Sequence, residues 1–166
     1  MKHTVLPAVW FLSLIIFTIT AHATEEKELK TEAPMTNARL EEILRRLDPA
    51  LKGSDGQWQM TREGLSLMVL ADESHNRMRI IAPAAEAKEL NPEVLMKVME
   101  ANFVAALDAR YAVFKGIVWA AFIHPLDSLV ERDLISGLKQ VTTLVKTTGT
   151  SYSSSELHFG PSHEEK

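Results

Sequence analysis

Asp72-Glu73-Ser74-His75 places two carboxylates, a hydroxyl and an imidazole in four consecutive residues. These are the side chains that bind a divalent metal or relay a proton. A metal site needs three or four of them to converge on one point. In one short turn they point outward instead, so the expectation is a solvated turn made of ordinary turn residues. His124 precedes Pro125, with Asp127 close by, and offers the types of a general base and an orienting acid. A base also needs a nucleophile within reach, and no serine stands in a strained glycine elbow. His124 is therefore expected to sit at a strand end, bonded to backbone. His158 and His163 belong to a Ser-, His- and Glu-rich tail whose composition accounts for them. Glu25-Glu26, Glu41-Glu42 and Glu164-Glu165 fall on a linker, a solvated helix face and that tail, where nothing desolvates one carboxyl relative to the other. No GxGxxG, P-loop, HExxH or EF-hand loop is present. With no cysteine in the chain, thiol chemistry and thiolate metal sites are excluded. The residues predict a non-enzyme with no catalytic residue, no metal site and no cofactor.

The elements that would position these groups follow from periodicity. Leu40, Ile43, Leu44 and Leu47 recur at helical spacing with Glu41, Glu42, Arg45 and Arg46 opposite. Thr36 is the candidate N-cap, Met35 the staple to Leu40, and Pro49 the stop. Lys52–Gln57 reads as a turn-rich loop. Strands follow at 58–61, 65–71 and 78–82, joined by a tight Arg62-Glu63-Gly64 turn and by Asp72–Asn76, an antiparallel meander. Residues 83–90 read as a connection. Asn91-Pro92 then opens a second helix, whose stripe is Leu95, Val98, Met99, Asn102, Phe103 and Ala106. Residues 109–124 are too apolar and too rich in β-branched and aromatic types for a surface helix, and Lys115-Gly116 splits them into strands at 110–114 and 117–124. Ser128-x-x-Glu131 is a capping box for a third helix with stripe Val130, Leu134, Leu138, Val141 and Val145, and Gly149 closes it. The order is α-β-β-β-α-β-β-α: an α+β domain over residues 36–149 with a five-stranded antiparallel sheet and three helices. An acidic lead-in at 24–35 and a disordered tail at 150–166 flank it.

The amino-terminal residues supply an address. Lys2 is followed by the apolar run Val5–Ile19 and then by Ala21-His22-Ala23, a small-x-small pattern. This is the form of a signal peptide cleaved at Ala23–Thr24, which implies a bacterial periplasmic or secreted protein. The rival reading is an uncleaved anchor. The run is shorter than the about 20 apolar residues of a full span, and the following TEEKELKTE is mostly acidic rather than a basic stop-transfer flank. The formal net charge of −4 argues against nucleic acid and anionic lipid as partners of the chain as a whole.

One surplus remains. Trp58, Trp119, Phe122, Met60, Met68, Met78, Met96 and Met99 exceed what one face of a small sheet needs, and Met-rich, aromatic surfaces suit adaptable polypeptide grooves or a homodimer interface. The segments LEEILRRLD, GQWQMTREGLSLMVLADESHNRMRIIAPA, LNPEVLMKVMEANF and ARYAVFKGIVWAAFIHPLDSLVERDLISGLKQV together resemble the Tir-chaperone-like fold of class I type III secretion chaperones and YbjN-like proteins. Ala109-Arg110-Tyr111, Val118-Trp119 and His124-Pro125-Leu126 carry the most specific part of the likeness, which spans about residues 37–146.

The resemblance implies a small acidic homodimer without enzymatic activity that binds an extended client segment in apolar patches beside its sheet. It points to Leu95, Met99, Phe103, Tyr111, Val113 and Trp119 as dimer residues, and to Leu40, Leu44, Met60 and Leu67 as client-facing ones. Secretion chaperones work in the cytoplasm, whereas the leader directs this chain outward, so its client is expected to be a different one. The sequence thus predicts an exported, chaperone-like protein-binding module. A periplasmic small-molecule or lipid carrier is the alternative from another class.

Overall fold

The computed structural model describes residues 33–155. The expected signal peptide, most of the expected acidic lead-in and the histidines of the tail lie outside them.

Helix α1 (Asn37–Leu47) begins as its sequence dictates. Thr36 is extended and its hydroxyl accepts from the Arg39 N–H at 3.2 Å. The Asn37 N–H donates to the Glu73 carboxylate at 2.5 Å, so a residue from the distant turn also serves this helix end. Leu40, Ile43 and Leu44 are its buried stripe.

Five expected strands become six: β1 (Lys52–Ser54), β2 (Gln57–Arg62), β3 (Leu65–Asp72), β4 (Arg77–Glu86), β5 (Arg110–Phe114) and β6 (Ile117–His124). The loop expected at 52–57 is a hairpin, because Asp55 and Gly56 take φ of 52° and 83°, the geometry of a tight two-residue turn. Gly56 is required there twice over: its φ is left-handed, and a Cβ would stand 2.3 Å from the Ala71 carbonyl oxygen. Residues 83–86, expected in a connection, continue β4 through an irregularity between Pro83 and Ala85. Pairing of β4 with β3 ends at Ile81, so Pro83 lies where that side of the strand is free and its missing N–H leaves no ladder bond broken. A short 3-10 turn (Ala87–Glu89) leads to helix α2 (Pro92–Val104), where the Asn91 side chain accepts from the Val94 N–H at 2.8 Å.

All neighbouring strands are antiparallel, in the order β1-β2-β3-β4-β6-β5. One cross-strand row runs Trp58, Val69, Ile80 and Phe122, all buried. Onto this inner face pack α1, through Trp58 Nε1–H to Glu41 at 3.1 Å, and helix α3 (Glu131–Thr147). The capping box expected at Ser128 does not form. Helix α3 starts at Glu131 with Val130 in the N-cap position and no side-chain cap. The Leu129 N–H closes a turn onto the Leu126 carbonyl, which buries both leucines and delays the helix. Glu131 pairs with Arg46 of α1 at 2.5 Å instead.

Helix α3 approaches the sheet tightly at Gly137, where a Cβ would fall 2.7–2.9 Å from three atoms of the Phe122 ring. Alanine would raise helix propensity by about 1 kcal/mol, but the ring is buried and overpacking costs about 1–3 kcal/mol. Gly137→Ala is therefore expected to lower stability by about 1 kcal/mol in chemical denaturation, and to become stabilising in a Phe122→Leu background. Stabilisation by Gly137→Ala alone would show that the helix lifts away freely.

Gly149 has φ of 86° and closes α3 as expected. Residues 150–155, assigned to the tail by composition, pack back instead. Ser153 and Ser154 are buried, the Ser154 hydroxyl accepts from the Leu107 N–H at 2.7 Å, and Tyr152 meets Tyr111 edge to face at 6.4 Å.

Candidate protein-interaction surface

The groups with the most reactive side chains are spent on structure. At the Asp72–His75 turn, Asp72 accepts from the Ser74 hydroxyl at 2.6 Å and meets His75 Nδ1 at 2.7 Å. The Ser74 and His75 hydrogen bonds hold its carboxyl below the ordinary aspartate range. Glu73 serves the amino end of α1. Asn76, at φ of 50°, accepts from the Leu126 and Asp127 N–H groups, which ties this turn to the segment before α3. Among the described residues no group of three or more His, Asp and Glu is placed to hold a metal ion.

His124 donates from Nδ1 to the Pro125 carbonyl at 2.7 Å and stacks on Phe122, with ring centroids 5.9 Å apart. That is the backbone-bonded strand-end histidine its sequence predicts. Its cleft, of about 300 Å³, is shared with Asp108, Asp133 and Ser136 rather than with Asp127. A second open cleft of about 420 Å³ lies along Leu70, Asp72, His75, Arg77 and Arg79. The room that a carrier would keep between sheet and helices is filled by Leu67, Ile80, Leu134 and Leu138, all fully buried.

The client-facing residues expected from the resemblance are placed elsewhere. Leu40, Leu44, Met60 and Leu67 are all buried in the core between α1, α3 and the sheet. They share the face that the helices cover, so they present no surface in this arrangement. Of the dimer residues, Tyr111 is also buried, with its hydroxyl donating to the Leu144 carbonyl at 2.7 Å, and burial raises its pKa. Leu95 and Trp119 are half-buried.

Met99, Phe103 and Val113 stand out, at 56%, 83% and 56% exposure. Met96, one of the surplus methionines read from the sequence, and Phe114, in the hairpin that follows α2, are exposed as well, at 60% and 61%. The single stripe expected on α2 merges two faces. Val98 and Ala101 turn inward, whereas Met96, Met99 and Phe103, at i, i+3 and i+7, form a separate exposed row. A helix apolar on two sides was the available signal.

Asn102 fixes where this row sits. Its side-chain oxygen accepts from the Tyr111 N–H at 2.7 Å and its Nδ2 donates to the Tyr111 carbonyl at 3.1 Å. One amide thus replaces a missing strand neighbour on the outer edge of β5 and sets α2 beside it. The Lys115 ammonium lies 5.2 Å from the Phe114 ring centroid at the end of the same strand. The result is an exposed apolar row on α2 set beside the sheet edge, where Val113 and Phe114 are exposed on opposite faces of β5.

Comparison with known proteins gives a likeness of fold. No protein-family model and no curated protein matches the sequence. Among solved structures, a chain from the HopA1–SchA chaperone–effector complex superposes with a TM-score of 0.53 at 16% identity, covering 66% of this chain and 88% of that one. A chain from the Yersinia pestis type III secretion chaperone SycH in complex with a stable fragment of YscM2 gives a TM-score of 0.53 at 14% identity, covering 68% and 98%. The α+β, secretion-chaperone-like fold expected from sequence is the fold found, with one more strand.

Proposed function

We propose that this chain is a non-enzymatic protein-binding module, exported after cleavage at Ala23–Thr24, that pairs as a homodimer through α2 and β5 and holds a polypeptide client in the periplasm. The observation that carries the reading is the exposed row Met96, Met99 and Phe103 along α2. Side chains of this size left in water along one helix face favour association through burial. Two copies meeting along α2 would cover the row with itself, as a two-fold interface does. The fold shared with chaperone–effector structures supports a polypeptide as the second partner.

Light scattering after size exclusion is expected to give a dimer for the chain beginning at Thr24, and a monomer for Phe103→Asp. The substitution places a charge at the interface centre and should weaken dimerisation by about a hundredfold or more. Both residue types suit the exposed position, so the thermal midpoint of the monomer fold should change little. A monomeric parent would defeat the pairing. Crosslinking in the periplasm followed by mass spectrometry would identify the client, and the amino-terminal mass of the recovered protein would establish where the leader is cut.

A further inference from the structure

The sheet has a second face, opposite α1 and α3, that no helix among the described residues covers. Its cross-strand rows are fixed by the register. One runs Lys52, Gln59, Met68, Ile81, Ala121 and Arg110 across all six strands. The next runs Ser54, Gln57, Leu70, Arg79 and Ile123. Apolar side chains crowd its β3–β6 half, with Met68 and Ile123 exposed. The charge on this face is opposite to that of the chain, which is −4 overall. Lys52, Arg77, Arg79 and Arg110 share it with only Asp72 and Glu86. Both carboxylates are already engaged, Asp72 with His75 and Glu86 with Lys88, each at 2.7 Å. Arg79, flanked across the strands by Leu70 and Ile123, has no carboxylate partner among the described residues.

We propose that this open face binds an acidic amphipathic helix of the client, with Arg79 and Arg110 pairing with two of its carboxylates and the Met68–Ile123 region receiving its apolar side. The inference rests on the protein-binding reading above and names the chemistry of the segment bound. A guanidinium set in apolar surface is completed by a carboxylate from outside, and the pairing strengthens as water leaves. The spacing agrees. Two strands apart and two residues along, Arg79 and Arg110 are separated by roughly 12 Å at Cα. Glutamates seven or eight residues apart on a helix are separated by about 10.5–12 Å. The exposed α2 row is not part of this face.

The test uses the full chain from Thr24 and a labelled synthetic helix of leucine and glutamate, with a leucine–lysine counterpart, read by fluorescence anisotropy. The leucine–glutamate helix is expected to bind and to weaken with added salt. Arg79→Glu should weaken it by about tenfold or more, while Lys139→Glu, the same charge change at an exposed position of α3 on the other side of the sheet, leaves it unchanged. The exposed setting of Arg79 makes folding of its variant checkable by its melting curve. Equal binding of the lysine helix, indifference to Arg79→Glu, or binding only to vesicles containing phosphatidylglycerol would overturn the proposal. If neither helix binds while periplasmic crosslinking still captures a client, this face alone is wrong. If crosslinking also yields none, the protein-binding reading falls with it.

Discussion

Trp58→Ala is expected to remove about 3–5 kcal/mol of stability, a large share of the about 5–15 kcal/mol typical of a domain. Trp58 lies in β2 beneath α1, paired across the sheet with Val69 and 2% exposed. Its ring fills the wedge between helix and sheet, and alanine would leave a cavity that Leu40, Leu44 and Met60, all buried, can close only in part. The indole N–H adds a bond to Glu41, whose other oxygen holds Arg45 at 2.6 Å. These two bonds hold the Glu41 carboxyl below its usual range, Arg45 first and Trp58 second. Because that carboxylate is solvated, losing the N–H alone costs far less than losing the ring. Trp58→Phe should therefore cost only about 1–2 kcal/mol. The alanine variant should melt about 10–20 °C lower. Equal losses for both variants in denaturant titration would place the energy in the hydrogen bond instead of the packing.

Gln140→Met should cost about 2–4 kcal/mol although the volume barely changes. Gln140 is a polar residue on the buried side of α3, 4% exposed, and every polar atom of its side chain is engaged. Its oxygen accepts from the Asp108 and Ala109 N–H groups at 2.9 and 3.0 Å. Its nitrogen donates to Asp108 Oδ2 and to the Ser136 hydroxyl. The chain between α2 and β5 has turned away from any ladder there, so methionine would strand a buried N–H at Ala109, which is fully enclosed. Hydrogen exchange should report lost protection at Asp108 and Ala109 before anything global. Gln140→Glu keeps the acceptor but sets a second carboxylate against Asp108. That variant should be weak at neutral pH and recover as the pH falls through the carboxyl range, because protonation restores a donor. Retained protection at Ala109 in the methionine variant would show that another group takes over the N–H.

Much of this architecture was legible because its signals are local. The Thr36 and Asn91 caps, the Glu63-Gly64 and Lys115-Gly116 turns and the β5 and β6 bounds each depend on a few consecutive residues. The misses have physical causes as well. Asp55-Gly56 is a strong hairpin dipeptide, yet its partner strand has only three residues and no alternation to announce it. Gln140 gave no sign of its role, since its partners lie 31 and 32 residues away. The tail's Ser153 and Ser154 look disordered by composition and are held by bonds to Ala105 and Leu107 at the carboxyl end of α2.

By itself the sequence determined the described helices and five of the six strands in their order, because cap, turn and periodicity act within a few residues. Within α1 and the strands it also determined which residues share a face, whereas on α2 it merged two. Only the tertiary structure decided which face meets what. It slid β6 between β4 and β5, buried Leu40, Leu44, Met60 and Leu67 under the helices, and left Met96, Met99 and Phe103 in water. The reason is that periodicity fixes the direction of a side chain relative to its own backbone, whereas burial is a property of the neighbour. That neighbour is chosen by the packing of the whole chain.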